Sequence, residues 1–128
     1  LVNNYLDPGG IFVSDLKTIE LYRSIGESVI AEDREDCSFI WDNYFDEEDC
    51  INEYMLSIFV KGDDNRYDKF SEEHYQRAYT VEEIKEALNL AGLEFVTVYD
   101  AFTRNEPNSE SERIYVVARE CQKNQVSK

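Results

Sequence analysis

Basic residues are scarce in this chain: 13 lysines and arginines stand against 28 aspartates and glutamates, a formal net charge of −15 at pH 7. Phosphate backbones and anionic headgroups recruit cationic patches, so nucleic acid and membrane surfaces are not expected as partners. So acidic a surface reads first as solubility. Long apolar runs are missing as well. Nothing approaches the roughly 20 apolar residues that a bilayer-spanning helix needs, and no signal-peptide pattern is read. A cytoplasmic protein is expected. Histidine occurs once, which excludes a histidine metal cluster and leaves His74 as the only base for any Ser-His-Asp arrangement. The cysteines, Cys37, Cys50 and Cys121, are an odd count without metal-ligand spacing, which predicts reduced thiols. The acidic turns 46–49 and 63–65 lack the spaced oxygens, glycine and closing glutamate of a calcium loop, so no metal is expected. There is no internal repeat.

What is present is a core. Hydrophobic residues are 42% and aromatic residues 13% of 128, enough for one folded domain. The organising stretch is Asp7-Pro8-Gly9-Gly10-Ile11-Phe12-Val13-Ser14-Asp15. Its Pro-Gly-Gly turn feeds an apolar β-branched run that reads as a strand buried on both faces. Ligands of α/β sheets gather beyond the carboxyl ends of the strands. Asp15 stands there, either to orient a substrate or to cap the helix that Thr18 begins and Gly26 ends.

From Ser28 to Thr80 the pattern alternates. Cys37, Phe39, Trp41 and Phe45 share one parity; Tyr54, Leu56, Ile58 and Val60 share the other. A hairpin turning at residues 46–49 brings the two sets onto one face, with Phe45 opposite Cys50, Trp41 opposite Tyr54, Phe39 opposite Leu56 and Cys37 opposite Ile58. This register keeps Cys37 apart from Cys50. A third strand over about 67–79 presents either Phe70, His74 and Ala78 or Tyr67, Tyr75 and Tyr79 to that face, and the pattern leaves both open. Thr80-Val81-Glu82-Glu83 is a capping box opening a helix that Gly92 stops. Strands over 93–99 and 113–119, a loop over 104–112 and a frayed polar tail from Gln122 complete the reading.

Leu6-Asp7-Pro8-Gly9-Gly10 followed by Ile-Phe-Val-Ser-Asp resembles the turn and fifth strand of class I S-adenosylmethionine-dependent methyltransferases. The element order that follows, an antiparallel insert, a helix and a final hairpin, is similar to that family. His74-Tyr75-Gln76-Arg77-Ala78-Tyr79 resembles the end of the insert in one bacterial branch. The resemblance covers nearly the whole chain but only the second half of the family's domain. It implies an α/β fold: the second half of a Rossmann-like sheet plus a three-stranded antiparallel meander. Residues 1–27 and 81–120 would be core, 28–80 the insert acting as a lid, and 121–128 tail. No G-x-G occurs among the five glycines, so the cofactor, S-adenosylmethionine, is expected to be held mainly by an upstream half, and the fragment alone is expected to be inactive.

The resemblance further implies methyl transfer to a small molecule under the meander. The sulfonium is an excellent leaving group, so alignment supplies much of the rate. Candidates for acid–base work are His74 and Asp15. Trp41, Tyr44, Tyr75 and Arg77, with Tyr54, would shape an apolar pocket with a polar rim, or form the sheet's own packing. Arg77 would grip a substrate anion or pair with Glu72 or Glu73. The alternative is a non-catalytic binding or interaction module. The first strand's outer edge would be bare, which predicts a homodimer paired through Ile11 to Ser14.

Overall fold

The computed structural model describes residues 1–124. In chain order the elements are α1 (Val2–Tyr5), β1 (Ile11–Lys17), α2 (Ile19–Ile25), β2 (Ser28–Asp33), β3 (Cys37–Asp46), β4 (Ile51–Lys61), β5 (Tyr67–Arg77), α3 (Val81–Leu90), β6 (Leu93–Asp100) and β7 (Arg113–Glu120). They form two compact units. One is Leu1–Leu21 with the chain from Tyr79 onward; the other is Tyr22–Ala78.

The first unit is an antiparallel sheet of order β1-β7-β6 with α3 packed on one face. The capping box that starts α3 is complete: the Glu83 N–H donates to Thr80 Oγ1 (3.1 Å) and the Thr80 N–H to Glu83 Oε2 (2.9 Å). Leu88 on α3 meets Leu93, Ile114, Val116 and Ala118, with Leu6, Phe12 and Leu16 against them. On the opposite face Phe102 meets Tyr115 edge-on, 5.8 Å between centroids. Ile11 and Val13 are 49% and 58% exposed, so β1 is buried on one face, not on both as its apolar run suggests. The run is apolar throughout, yet only its even positions meet α3's side of the sheet.

The second unit is a four-stranded antiparallel sheet, β2-β3-β4-β5, where the sequence predicts a three-stranded meander. The added strand, Ser28–Asp33, lies along β3 with Ile30 opposite Trp41. Its acidic end, Glu32 and Asp33, masks the alternation that would betray it. The expected facing pairs are also corrected by two residues. Trp41 lies opposite Leu56, Tyr54 opposite Asn43, Phe45 opposite Asn52, Phe39 opposite Ile58 and Cys37 opposite Val60. The turn begins one residue later than its acidic sequence implies. Asp46 still pairs with Ile51, its Oδ1 accepts from the Glu48 and Asp49 N–H groups (3.0 and 3.3 Å), and Cys50 closes the loop at φ 54°. The cysteines are free.

On β5 the structure selects one of the two registers. His74 lies opposite Tyr54 and Phe70 opposite Ile58, which puts both on the Trp41 face. The tail also differs from expectation at its start: the Gln122 and Lys123 N–H groups both donate to Glu120 Oε1 at 2.6 Å. The rest of that tail, 125–128, lies outside the described residues.

Candidate functional site

The strand runs on to Lys17, so Asp15 lies inside β1, opposite Tyr115, and not at its end; there it is already engaged. Nη1 of Arg113 donates to both of its oxygens, at 2.8 and 2.9 Å. Immediately after the strand, buried Thr18 donates its hydroxyl to the Ser111 carbonyl (2.6 Å) and accepts from the Leu21 N–H (3.2 Å). Thus Thr18 caps α2 and fixes the loop before β7, while Asp15 does neither. Beside them is a cleft of about 260 Å³ lined by Thr18, Ile19, Tyr79, Val81 and Pro107 among others.

In the second unit, strand alternation separates the remaining candidates. Trp41, Tyr54 and His74 share one face through cross-strand neighbours. Their rings form a ladder: Trp41 to Tyr54 is 5.2 Å between centroids at 57°, and Tyr54 to His74 is 4.8 Å at 21°. His74 Nε2 lies 3.0 Å from Glu72 Oε2. The Trp41 Nε1–H is buried with no acceptor among the described residues. Tyr44, Tyr75 and Arg77 stand on the other face, where Glu53 separates Tyr44 from Tyr75 across the strands. The Tyr75 hydroxyl donates to Glu73 (2.6 Å); that bond raises the phenol's pKa above its ordinary value, so Tyr75 stays a phenol at neutral pH. One ligand on one side of the sheet therefore meets Trp41 and His74, or Tyr44, Tyr75 and Arg77.

Two arrangements escaped the sequence pattern. Asn43 and Asn52, 2% and 1% exposed, exchange reciprocal amide hydrogen bonds of 2.9 Å, and Asn43 Nδ2 also donates to the Gly26 carbonyl (2.9 Å). The signal was a polar residue interrupting the inward parity of each strand; the observed register sets the two diagonally, Asn43 opposite Tyr54 and Asn52 opposite Phe45. Glu120 is the other. It is 2% exposed and accepts from the Gly9 N–H (3.0 Å) as well as from Gln122 and Lys123. Burial pushes its pKa up, but the three N–H donors and the Lys123 ammonium outweigh that and hold it below the ordinary carboxylate value. Its place in an apolar alternation, Ile114-Val116-Ala118-Glu120, marks it as inward-facing.

No protein-family model matches the sequence. The protein named "Putative methyltransferase YqeM" of Bacillus subtilis (strain 168) is 32% identical over 114 residues, 88% of this chain and 46% of its own length. The crystal structure of a S-adenosylmethionine-dependent methyltransferase from Clostridium acetobutylicum ATCC 824 superposes with a TM-score of 0.81 at 27% identity, over 94% of this chain and 48% of that one. The chain is related to S-adenosylmethionine-dependent methyltransferases. The CcbJ methyltransferase from Streptomyces caelestis shares the fold at a TM-score of 0.71 and 19% identity, over 93% and 50% of the two chains. The chain spans about half the length of the methyltransferases it matches.

A Cβ on Gly10 would meet its own turn at Asp7 O (2.9 Å) and one on Gly92 would meet Gln122 and Asn3, so close approach within the fold requires these two glycines. Among the described residues no group of three His, Cys, Asp or Glu is placed for a metal ion, and no helix is long and apolar enough to cross a membrane.

Proposed function

We propose that this chain is the carboxyl-terminal part of a methyltransferase that transfers the methyl group of S-adenosylmethionine to a small molecule. The observation that carries the reading is the match to the Clostridium acetobutylicum enzyme along 94% of the chain. In this reading residues 1–27 and 81–120 belong to the methyltransferase core and 28–80 to an insert that covers the acceptor. The cofactor is held chiefly by the half of the domain this chain does not span. The insert face bearing Trp41, Tyr54 and His74 takes the acceptor, and His74, oriented by Glu72, accepts a proton where the nucleophile carries one. Asp15, held by Arg113, is a positioning residue. Three free cysteines support a reducing, cytoplasmic setting.

Calorimetric titration of S-adenosylmethionine tests the reading. Saturable micromolar binding is expected for the complete gene product and no heat for these 128 residues alone. Absence of binding by the gene product at millimolar cofactor would overturn it.

We also propose that the chain alone pairs with a second copy through β1. Thr18 N–H donates to the Glu112 carbonyl and Glu120 N–H to the Gly10 carbonyl (3.0 and 2.9 Å). The even positions of β1 therefore face β7, and the N–H groups of Ile11, Val13, Asp15 and Lys17 point to an edge that no described strand covers. Val13→Pro removes an outward N–H and no ladder bond. Sedimentation at about 100 μM is expected to give a dimer for the unaltered chain and a monomer, with unchanged circular dichroism, for V13P. A clean monomer for the unaltered chain would refute the pairing.

A further inference from the structure

The lysines and arginines of the four strands are sorted by side; carboxylates stand on both faces, with Asp33, Asp42, Asp46, Glu53 and Glu73 on the one away from Trp41. Alternation and register place Glu32, Asp68 and Glu72 on the face of Phe39, Trp41, Leu56 and Ile58. The strands' own cations, Lys61, Lys69 and Arg77, all fall on the opposite face by the same alternation. Lys69 confirms the sorting, since its Nζ sits 5.9 Å from the centroid of Phe59 on that opposite side. Arg34 reaches Glu32 at 2.8 Å and lowers its pKa, and His74 Nε2 lies 3.0 Å from Glu72; neither Glu72 nor Asp68 faces a lysine or arginine in the strand register.

Between these charges the floor is apolar. A cleft of about 300 Å³ is lined by Cys37, Ser38, Phe39, Trp41, Leu56 and Ile58. Glu72 is directly opposite Leu56, and Asp68 opposite Val60, so both carboxylates flank the floor at cross-strand spacing, roughly 5 Å between Cβ atoms. The ring ladder runs from the cleft toward Glu72, through Trp41, Tyr54 and His74. Aromatic faces attract cations and apolar rings; carboxylates select the cations. A volume of this size suits a single ring with a short chain.

We propose that this face binds a small amphiphilic amine, its apolar ring or chain in the cleft and its ammonium beside one of the two carboxylates, Glu72 or Asp68, which stand about 13 Å apart along β5. The proposal names the chemical class of the methyl acceptor, and to that extent rests on the methyl-transfer reading; its binding step does not. Trp41 is the sole tryptophan, so its fluorescence reports the cleft directly. The probes are an isosteric series: 2-phenylethylammonium, 2-phenylethanol and phenylacetate, titrated into the chain without cofactor. The amine is expected to bind saturably, roughly three- to tenfold tighter than the alcohol at low salt, with phenylacetate weakest. Glu72→Gln combined with Asp68→Asn is expected to bring the amine to the alcohol's affinity while leaving the alcohol unchanged; Lys69→Gln, on the other side, changes neither. Equal affinity for amine and alcohol, or no saturable response to any probe, would overturn the proposal. Because no cofactor takes part, such a result does not bear on methyl transfer, which the cofactor titration of the gene product tests independently.

Discussion

Asn43→Leu is expected to lower the unfolding midpoint by about 10 °C. Asn43 and Asn52 satisfy one another completely, donor to acceptor in both directions, and Asn43 also satisfies the Gly26 carbonyl at the end of α2. Leucine in place of Asn43 strands the Asn52 amide and that carbonyl together, in surroundings that include the stacked rings of Tyr22 and Phe45, 5.8 Å apart. Each buried group left unmade costs about 1–3 kcal/mol, so about 2–4 kcal/mol is lost in total. For a chain of this size that is roughly 3–5 °C per kcal/mol. The partner change, Asn52→Leu, strands only the other amide and is expected to cost less. Changing both to leucine removes both amides and leaves only the Gly26 carbonyl wanting. The double variant should therefore be more stable than the sum of the singles implies. Thermal denaturation of the four proteins measures the coupling, and strict additivity would show that the pair does not act as a unit.

The second large effect concerns Glu120 and depends on pH. Its carboxylate holds the Pro-Gly-Gly turn at Gly9 and the chain beyond β7 at Gln122 and Lys123. The Lys123 ammonium then donates to the Leu6 carbonyl at 2.6 Å and to that of Asn3. One buried anion thus ties both ends of the first unit to the sheet. Its folded pKa is depressed, so the stability it contributes is complete above its unfolded value and is lost as pH falls through the folded one. Glu120→Gln keeps the shape but turns an acceptor toward three donors into a half-donor amide. At pH 7 the variant is expected to unfold roughly 5–10 °C lower. As pH drops below the ordinary carboxylate range the two proteins should converge, because the native side chain becomes neutral as well. A difference that stays constant from pH 7 down to pH 3 would show that Glu120 acts by packing and not by charge.

The same residues show what could be read before folding was known. Parity in β3 and β4 survives in the structure although the pairing is two residues off. A turn of the same length displaced by one residue moves each partner by two, and side chains alternate with a period of two, so every residue keeps its face. The displacement itself was not legible: it depends on Cys50 adopting a left-handed conformation that cysteine does not advertise. The β2 strand was hidden because its last two residues are charged and most of it is exposed. Asp15 illustrates a different limit. Its place after the apolar run is plain in the sequence, whereas Arg113, which neutralises it, is 98 residues away.

Local chemistry therefore determined what depends on neighbours in the chain. The Pro-Gly-Gly turn, the α3 cap, the period-two strands, the excess of acid and the likeness to methyltransferases all lie within short stretches of sequence. Tertiary structure decided what depends on distant partners: the side of the insert on which each aromatic stands, the amide pair that seals one unit, and the carboxylate that ties the ends of the other. A buried polar group takes its meaning from whatever satisfies it, and nothing in the sequence near Glu120 names Gly9, 111 residues away.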